Sequence, residues 1–185
     1  MFIQTESTPN PATLMFLPGR TVAGAAPADF RSLDAAQERS PLAAALFEID
    51  GVREVFLGSD FVSVTKDGRD WGQLKPIILG ALMEHFVANA PVFTDGADGE
   101  AEDEFFDAAD TETVDEIKDL IETRVRPAVA GDGGDIRFRG FKNGTVFLSM
   151  KGACSGCPSS TATLKHGIEN LLRHFVPAVA SVEQI

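Results

Sequence analysis

The sequence predicts an α+β protein in which an acidic linker joins two small domains. Strand-like and helix-like segments follow the order ββαββα over residues 1–90 and αββαβ over residues 113–185. Between them, residues 91–112 are dominated by acidic side chains. With 185 residues, of which 44% are hydrophobic, the chain is long and apolar enough for each domain to bury its own core.

The first domain is predicted from turn and cap signals around short apolar runs. Ser40 followed by Pro41 predicts a helix start, because serine caps helices and proline suits the first helical position. Asp70 is a predicted N-cap in the same way. Residues 21–40, rich in alanine, proline and polar side chains, are predicted to form a loop. The expected elements are strands at residues 2–6, 12–17, 52–57 and 61–66, and helices beginning at Pro41 and Trp71.

Residues 91–112 are predicted to be a flexible linker. Every charged residue from Asp95 to Glu112 is acidic, so the segment repels itself and stays solvated. Gly96 and Gly99 add flexibility. The alternative interpretation is a docking segment for a basic partner, anchored by the neighbouring side chains of Phe105 and Phe106.

The second domain is predicted to be a three-stranded sheet covered by two helices. Thr113 and Glu116 have the spacing of a capping box, so the first helix is expected to begin there. Residues 131–135 are glycine-rich and predict a turn, and Asn143-Gly144 predicts a tight hairpin. The remaining elements are strands at residues 136–141, 145–150 and 179–185, with a helix that ends near Phe175.

The two cysteines of the chain, Cys154 and Cys157, lie between a predicted strand and a predicted helix. Two cysteines at this spacing, with no others, indicate a metal, cluster or redox site rather than a structural disulfide. Unpaired amides and the positive end of the helix dipole favour anions, so both thiols are expected to have lowered pKa values. The sulfurs are also expected to lie exposed.

The number of cysteines limits the metal chemistry. A tetrahedral zinc site or a cubane cluster takes four ligands, and this chain supplies two sulfurs. If all ligands are cysteine, a second copy supplies the other pair, and the expected assembly is a homodimer with the metal on its two-fold axis. Two alternatives stay open: a tetracysteine zinc site, and a dithiol–disulfide oxidoreductase, although Ala153 replaces the aromatic residue expected before the first cysteine of that motif.

Charge and composition limit the classes of partner and the cellular locations that we expect. The net charge of −12 argues against nucleic acid and anionic membrane surfaces. No apolar run suits a membrane span, and the N-terminus lacks the character of a signal peptide. Bacterial cytoplasm is therefore the expected location, with the mitochondrial matrix as the alternative for a processed organelle protein. No nucleophile–base arrangement is visible, so no catalytic residue is assigned and the chain is predicted not to be an enzyme.

The motif residues of the second half resemble the NifU-like C-terminal domain, and those of the first half resemble the Nfu N-terminal domain. The resemblance rests on Arg126-Pro127, residues 131–136, residues 152–160, residues 7–12 and residues 14–16. It implies an iron–sulfur cluster carrier that receives a [4Fe–4S] cluster from an upstream scaffold and passes it to apo-proteins. Cys154 and Cys157 match the family's ligand pair, and a dimer would bridge one cluster; a [2Fe–2S] cluster is the less favoured alternative. The first domain would then recognise clients.

Overall fold

The structure is a computed structural model that describes residues 1–94, 103–155 and 158–185, with the backbone alone for residues 158–160. The chain divides into two compact units, Met1–Gly99 and Glu100–Ile185, and each has its own hydrophobic core. Both units combine a sheet with helices, so the predicted α+β class is confirmed. No helix of the described residues is both long and apolar enough to cross a membrane.

The first unit is a five-stranded antiparallel sheet with three helices. The strand order is β1-β2-β5-β4-β3. The strands are β1 (Gln4–Ser7), β2 (Thr13–Leu17), β3 (Ala28–Phe30), β4 (Val52–Leu57) and β5 (Val62–Lys66). The helices are α1 (Leu33–Arg39), α2 (Pro41–Phe47) and α3 (Trp71–Val87). Fully buried side chains from all of these layers, among them Phe16, Leu46, Val64 and Ile78, form the core.

Two helices of the first unit begin where the cap signals predict. The Ser40 hydroxyl accepts a hydrogen bond from the Ala43 amide at 3.1 Å and donates one to the Val92 carbonyl at 2.5 Å. The Asp70 carboxylate accepts from the Gly72 amide at 2.9 Å. Each cap satisfies an amide that would lack a partner inside the helix.

The prediction of a loop over residues 21–40 is wrong for its second half, which contains β3 and α1. Strand β3 has three residues and pairs antiparallel with β4, so its stability comes from a distant partner. Helix α1 has two turns and buries Ala36 alone, which leaves no apolar period for sequence reasoning to detect. Ser32 caps it by accepting from the Ala35 amide.

The second unit is a four-stranded sheet with order β6-β7-β8-β9, covered by helices. The strands are β6 (Phe105–Phe106), β7 (Gly134–Lys142), β8 (Thr145–Gly152) and β9 (Ser181–Gln184). The helical segments are a 3₁₀ turn (Ala108–Asp110), α4 (Thr111–Leu120), a π-helical turn (Ile121–Val125), α5 (Arg126–Gly131) and α6 (Pro158–Phe175). Strands β7 and β8 form the predicted hairpin, in which Asn143 and Gly144 take positive φ angles of 52° and 78°.

The predicted linker ends earlier than its acidic composition indicates. Within residues 91–112, the part from 95 to 102 lies outside the described residues, but Phe105 and Phe106 form β6 and pair parallel with β7. Helix α4 begins at Thr111 after Asp110, with no side-chain cap, so the predicted capping box at Thr113 is wrong. The predicted three-stranded sheet therefore gains a fourth strand, because two aromatic side chains within the acidic run pack on the sheet.

The contact of β6 depends on a missing side chain at Gly140. A Cβ atom placed there would lie 2.4 Å from the Phe105 ring, and that ring packs on Phe147 with 5.2 Å between centroids. Phe106 pairs with Phe138 at 6.4 Å. We call the space beside the Gly140 backbone a notch. Strand β6 is thus held by the Phe105 ring in this notch as well as by its two-residue pairing with β7.

We expect Gly140→Ala to expel the Phe105 ring from this notch while the rest of the unit stays folded. Amide exchange at Phe106 should become faster by on the order of tenfold, and the nuclear Overhauser contacts between Phe105 and Phe147 should disappear. Gly131→Ala is the matched control, because a Cβ atom there meets nothing within 4 Å. Unchanged exchange in Gly140→Ala would mean that the notch does not hold β6.

Candidate functional site

The cysteine loop begins where β7 and β8 lie side by side. Gly134, the first residue of β7, pairs with Gly152, the last residue of β8. Gly133 and Gly152 have φ angles of +81° and +72°, a region that favours glycine. The Ala153 amide then donates to the Gly133 carbonyl at 3.2 Å. The glycines thus let the chain turn into the loop while it stays attached to β7.

The sulfur of Cys154 lies directly over the backbone at Gly134. A Cβ atom at residue 134 would be 2.9 Å from Cys154 Sγ and 2.7 Å from the Lys151 carbonyl oxygen. Cys154 is 7% exposed and packs within the core of the second unit as a free cysteine. The sulfur therefore occupies the volume that a side chain at residue 134 would need.

Hydrogen bonds tie the described part of the loop to both flanking elements. The Ser155 hydroxyl donates to the Gly152 carbonyl at 2.9 Å, and Thr161 in α6 donates to the Cys154 carbonyl at 2.7 Å. Cys154 thus lies between β8 and α6, as the sequence predicts. Cys157, the other predicted ligand, lies outside the described residues, immediately before the first residue of α6.

The expectation of an exposed Cys154 with a lowered pKa is wrong for this structure. Burial, followed by the negative charges of Asp132 and Asp135, raises the pKa of the Cys154 thiol to about 11. The thiolate would lose its hydration in the core and face like charges, so the neutral thiol is favoured. Both effects depend on the tertiary structure, which the position of the cysteines before a helix does not reveal.

Asp135 is the anchor of an ion-pair network beside the thiol. Its side chain is 7% exposed and contacts Arg126 at 2.8 and 3.2 Å and Arg137 at 3.3 Å. Arg126 also holds Glu122 at 2.7 and 2.8 Å. Burial lowers the pKa of Arg126, but its two carboxylate partners outweigh this and raise it overall. The ion pairs with Arg126 and Arg137 thus compensate the burial of this carboxylate.

Sequence reasoning did not predict this network. The only sequence signal was the presence of Arg126 and Asp135 within the same motif, which does not show that they touch.

One chain does not complete a metal site within its described part. No group of three or more His, Cys, Asp or Glu side chains is close enough there to hold a metal ion. His166, the histidine closest in sequence to the cysteines, joins no such group. The soft donor available is the thiol of Cys154, together with Cys157 from the motif, which suits iron–sulfur or zinc chemistry and supplies half of a four-sulfur set.

Two known families match the two units of this chain. The family described as "Scaffold protein Nfu/NifU N terminal" matches residues 3–89, and the "NifU-like domain" family matches residues 117–183. Together they define a NifU-like protein with an additional N-terminal domain. The chain belongs to the Nfu family, as the motif resemblance predicts.

Curated relatives align over the whole chain. NifU-like protein 4, mitochondrial, and NifU-like protein 5, mitochondrial, of Arabidopsis thaliana are each 53% identical over 187 residues. The NFU1 iron-sulfur cluster scaffold homolog, mitochondrial, of Homo sapiens is 47% identical over 191 residues. The chain spans 66%, 68% and 72% of the lengths of these three relatives.

The contact between Gly134 and Cys154 can be tested in a Cys157→Ser chain, where Cys154 is the sole thiol. We expect Gly134→Ala to push the sulfur away from the backbone at residue 134, because the added methyl would overlap Sγ and a backbone carbonyl. Alkylation of Cys154 at pH 8 should then become at least about tenfold faster. Gly131→Ala, three residues earlier, should leave the rate unchanged; equal rates in the two variants would contradict the close approach.

The raised pKa of Cys154 can be tested in the same Cys157→Ser chain. With a pKa near 11, about one thiol in a thousand is ionised at pH 8, and alkylation should rise with pH until that pKa is reached. Asp132→Asn removes one of the negative charges that raise the pKa, so alkylation at pH 8 should become roughly threefold faster at low salt. Asp115→Asn, on α4, is the matched control, and the same acceleration in both variants would remove Asp132 as a cause.

Proposed function

We propose that this chain is an iron–sulfur cluster carrier and not an enzyme. Two copies would hold one [4Fe–4S] cluster through two Cys154–Cys157 pairs and pass it to apo-proteins. The observation that carries the proposal is the glycine-shaped cysteine loop, in which one chain offers at most two sulfurs for a four-ligand cargo. Family membership supports it, because the human relative is named as an iron–sulfur cluster scaffold.

Loading of the cluster would be coupled to proton release at Cys154. Iron binds the thiolate, whereas burial and the neighbouring carboxylates keep this thiol protonated near neutral pH. The sulfur would also have to leave its place over Gly134, since Cys154 is only 7% exposed and a buried sulfur cannot reach a second chain. The empty carrier therefore keeps Cys154 in its less oxidisable, protonated form.

Release to a client would reverse these steps. An incoming acceptor thiolate replaces one sulfur of the carrier on iron, and the freed Cys154 regains a proton because its pKa is high. The return of that sulfur to its buried position removes it as a competitor for iron. Transfer toward the client is favoured by the same burial that makes loading slower.

The raised pKa of Cys154 disfavours the dithiol oxidoreductase. Thiol–disulfide exchange is most effective when the attacking thiol has a pKa close to the ambient pH, and a value near 11 leaves little thiolate. Zinc held by four cysteines has the same ligand set as the cluster, so elemental analysis is needed to separate them. A [2Fe–2S] cluster remains the less favoured alternative for the cargo.

The proposed partners are a second copy of the chain, an upstream scaffold and apo-proteins that need clusters. The names of the relatives include the word mitochondrial, which supports the mitochondrial matrix for this chain. The bacterial cytoplasm remains the other predicted location. The first unit is proposed to recognise clients, since it has its own core and lacks cysteine.

Anaerobic reconstitution with iron and sulfide, followed by size exclusion and elemental analysis of each peak, tests the proposal. We expect a brown dimer with about four irons per two chains and no zinc. Cys154→Ser or Cys157→Ser should abolish both the colour and the dimer. Gly131→Ala should load normally, which controls for handling of variants.

The other outcomes assign a different function. A colourless dimer with one zinc ion would indicate a zinc site in place of a cluster site. A colourless monomer with disulfide reductase activity would favour the oxidoreductase. Full cluster retention by either cysteine variant would remove that cysteine from the ligand set. Removal of residues 1–90 should leave cluster binding intact if the second unit alone carries it.

A further inference from the structure

A cleft in the first unit lies between helices α2 and α3, and it plays no part in the proposed cluster chemistry. Its volume is about 730 Å³. Ile49, Ile77 and Ala81 provide apolar walls, and Glu48, Asp50 and Glu84 place carboxylates on its lining. Ile77 is 50% exposed, so apolar surface on the lining of the cleft is open to solvent.

The electrostatics of this cleft favour a cation. Arg69 is the basic side chain on its lining, and it forms an ion pair with Asp50. Glu48 and Glu84 form no ion pair with any residue that the structure describes. Two carboxylates beside apolar walls, without a cation of their own, attract a positive charge from outside the chain.

Two helices also end at the cleft. Helix α2 ends with Glu48 as its C-cap, and α3 ends with Ala88 as its C-cap. The carboxyl end of a helix carries partial negative charge and free carbonyls, and it favours Lys or Arg nearby. The last turn of α2 has no basic residue. The end of α3 already has a cation, because Arg20 donates to the Phe86 carbonyl at 3.3 Å. The uncompensated helix end at the cleft is therefore that of α2.

His85 adds an acceptor that lacks a donor. The side chain lines the cleft and is 8% exposed, and the backbones of Ala90 and Pro91 hydrogen-bond its ring. Because Pro91 can offer only a carbonyl, the ring donates on that side. Burial lowers the pKa of His85, which favours the neutral ring, and its Nε2 atom has no hydrogen-bond partner among the described residues. A buried acceptor without a donor is costly. Because Nε2 is itself buried, an incoming N–H group would satisfy it only after the lining of the cleft shifts around the ring.

We propose that the cleft between α2 and α3 is a docking site for a partner protein segment in which an arginine or lysine stands next to an apolar side chain. The cationic head would pair with Glu48 and Glu84 and approach His85, while the apolar neighbour would cover Ile77. Both features are needed, because the carboxylates select charge and the walls select apolar surface. The site lies wholly in the first unit and does not depend on the cluster proposal.

Fluorescence anisotropy of the full chain with labelled ten-residue peptides, at 150 mM salt, tests this docking site. The probe contains leucine, alanine and arginine; one analogue replaces arginine by glutamate, and another replaces leucine by serine. We expect binding of the first peptide and at least about tenfold weaker binding of both analogues. Failure of all three peptides to bind would overturn the proposal.

Paired variants distinguish the cleft from the general acidity of the chain. Glu48→Gln with Glu84→Gln should weaken the arginine peptide about tenfold, whereas Glu6→Gln with Glu38→Gln changes the net charge equally and should change affinity less than about twofold. Equal weakening by both pairs would show nonspecific attraction and overturn the site. Each variant is first checked for an unchanged circular dichroism spectrum.

Two further variants test the shape of the cleft and the acceptor at His85, and a competitor tests the apolar contact. Ala81→Trp should fill the cleft and abolish binding, and His85→Phe should weaken it while leaving the packing of the ring. Spermine at equal charge should compete poorly, because it lacks the apolar neighbour. Full competition by spermine would reduce the site to a general cation site and contradict partner docking.

Discussion

The close approach of the Cys154 sulfur to the backbone at Gly134 is the constraint on which the candidate site depends. It can exist only if residue 134 has no side chain, if β7 and β8 pair in a register that brings Gly134 opposite Gly152, and if the chain turns with a positive φ at residue 152. A slip of one residue would turn every side chain of the hairpin to the other face. The position of the sulfur therefore depends on the register of the β7–β8 pair.

Sequence reasoning was most accurate where a local interaction decides the structure. Ser40 and Asp70 cap helices that begin at the predicted residues, and Asn143-Gly144 makes the predicted hairpin, because each depends on neighbours within a few positions. It failed for β3 and β6, which have three and two residues and exist through pairing with distant strands. The sequence indicates Phe105 and Phe106 only as anchors for a basic partner, whereas Phe105 packs against the backbone at Gly140, a contact that no local pattern contains.

The candidate site shows the same division. The spacing of Cys154 and Cys157 predicts a metal or cluster site from residue type alone, and that site remains a prediction. The pKa of Cys154 depends instead on burial and on Asp132 and Asp135, which the fold brings near the sulfur. The ion pair of Asp135 with Arg126 is likewise a product of folding. Residue identity predicts which chemistry is available, and the tertiary structure sets its free energy.

The raised pKa of Cys154 would lower the affinity of the proposed carrier for its cluster. A pKa near 11, against an ordinary value of 9.0, favours the protonated thiol by about 3 kcal/mol. Each Cys154 that binds iron at neutral pH must give up this stabilisation, and a bridged cluster requires two of them. The cost falls on the loaded state alone, so it lowers affinity and is recovered on release. A permanent metal site would be expected to have preformed thiolates, whereas this arrangement suits a protein that must give its cluster away.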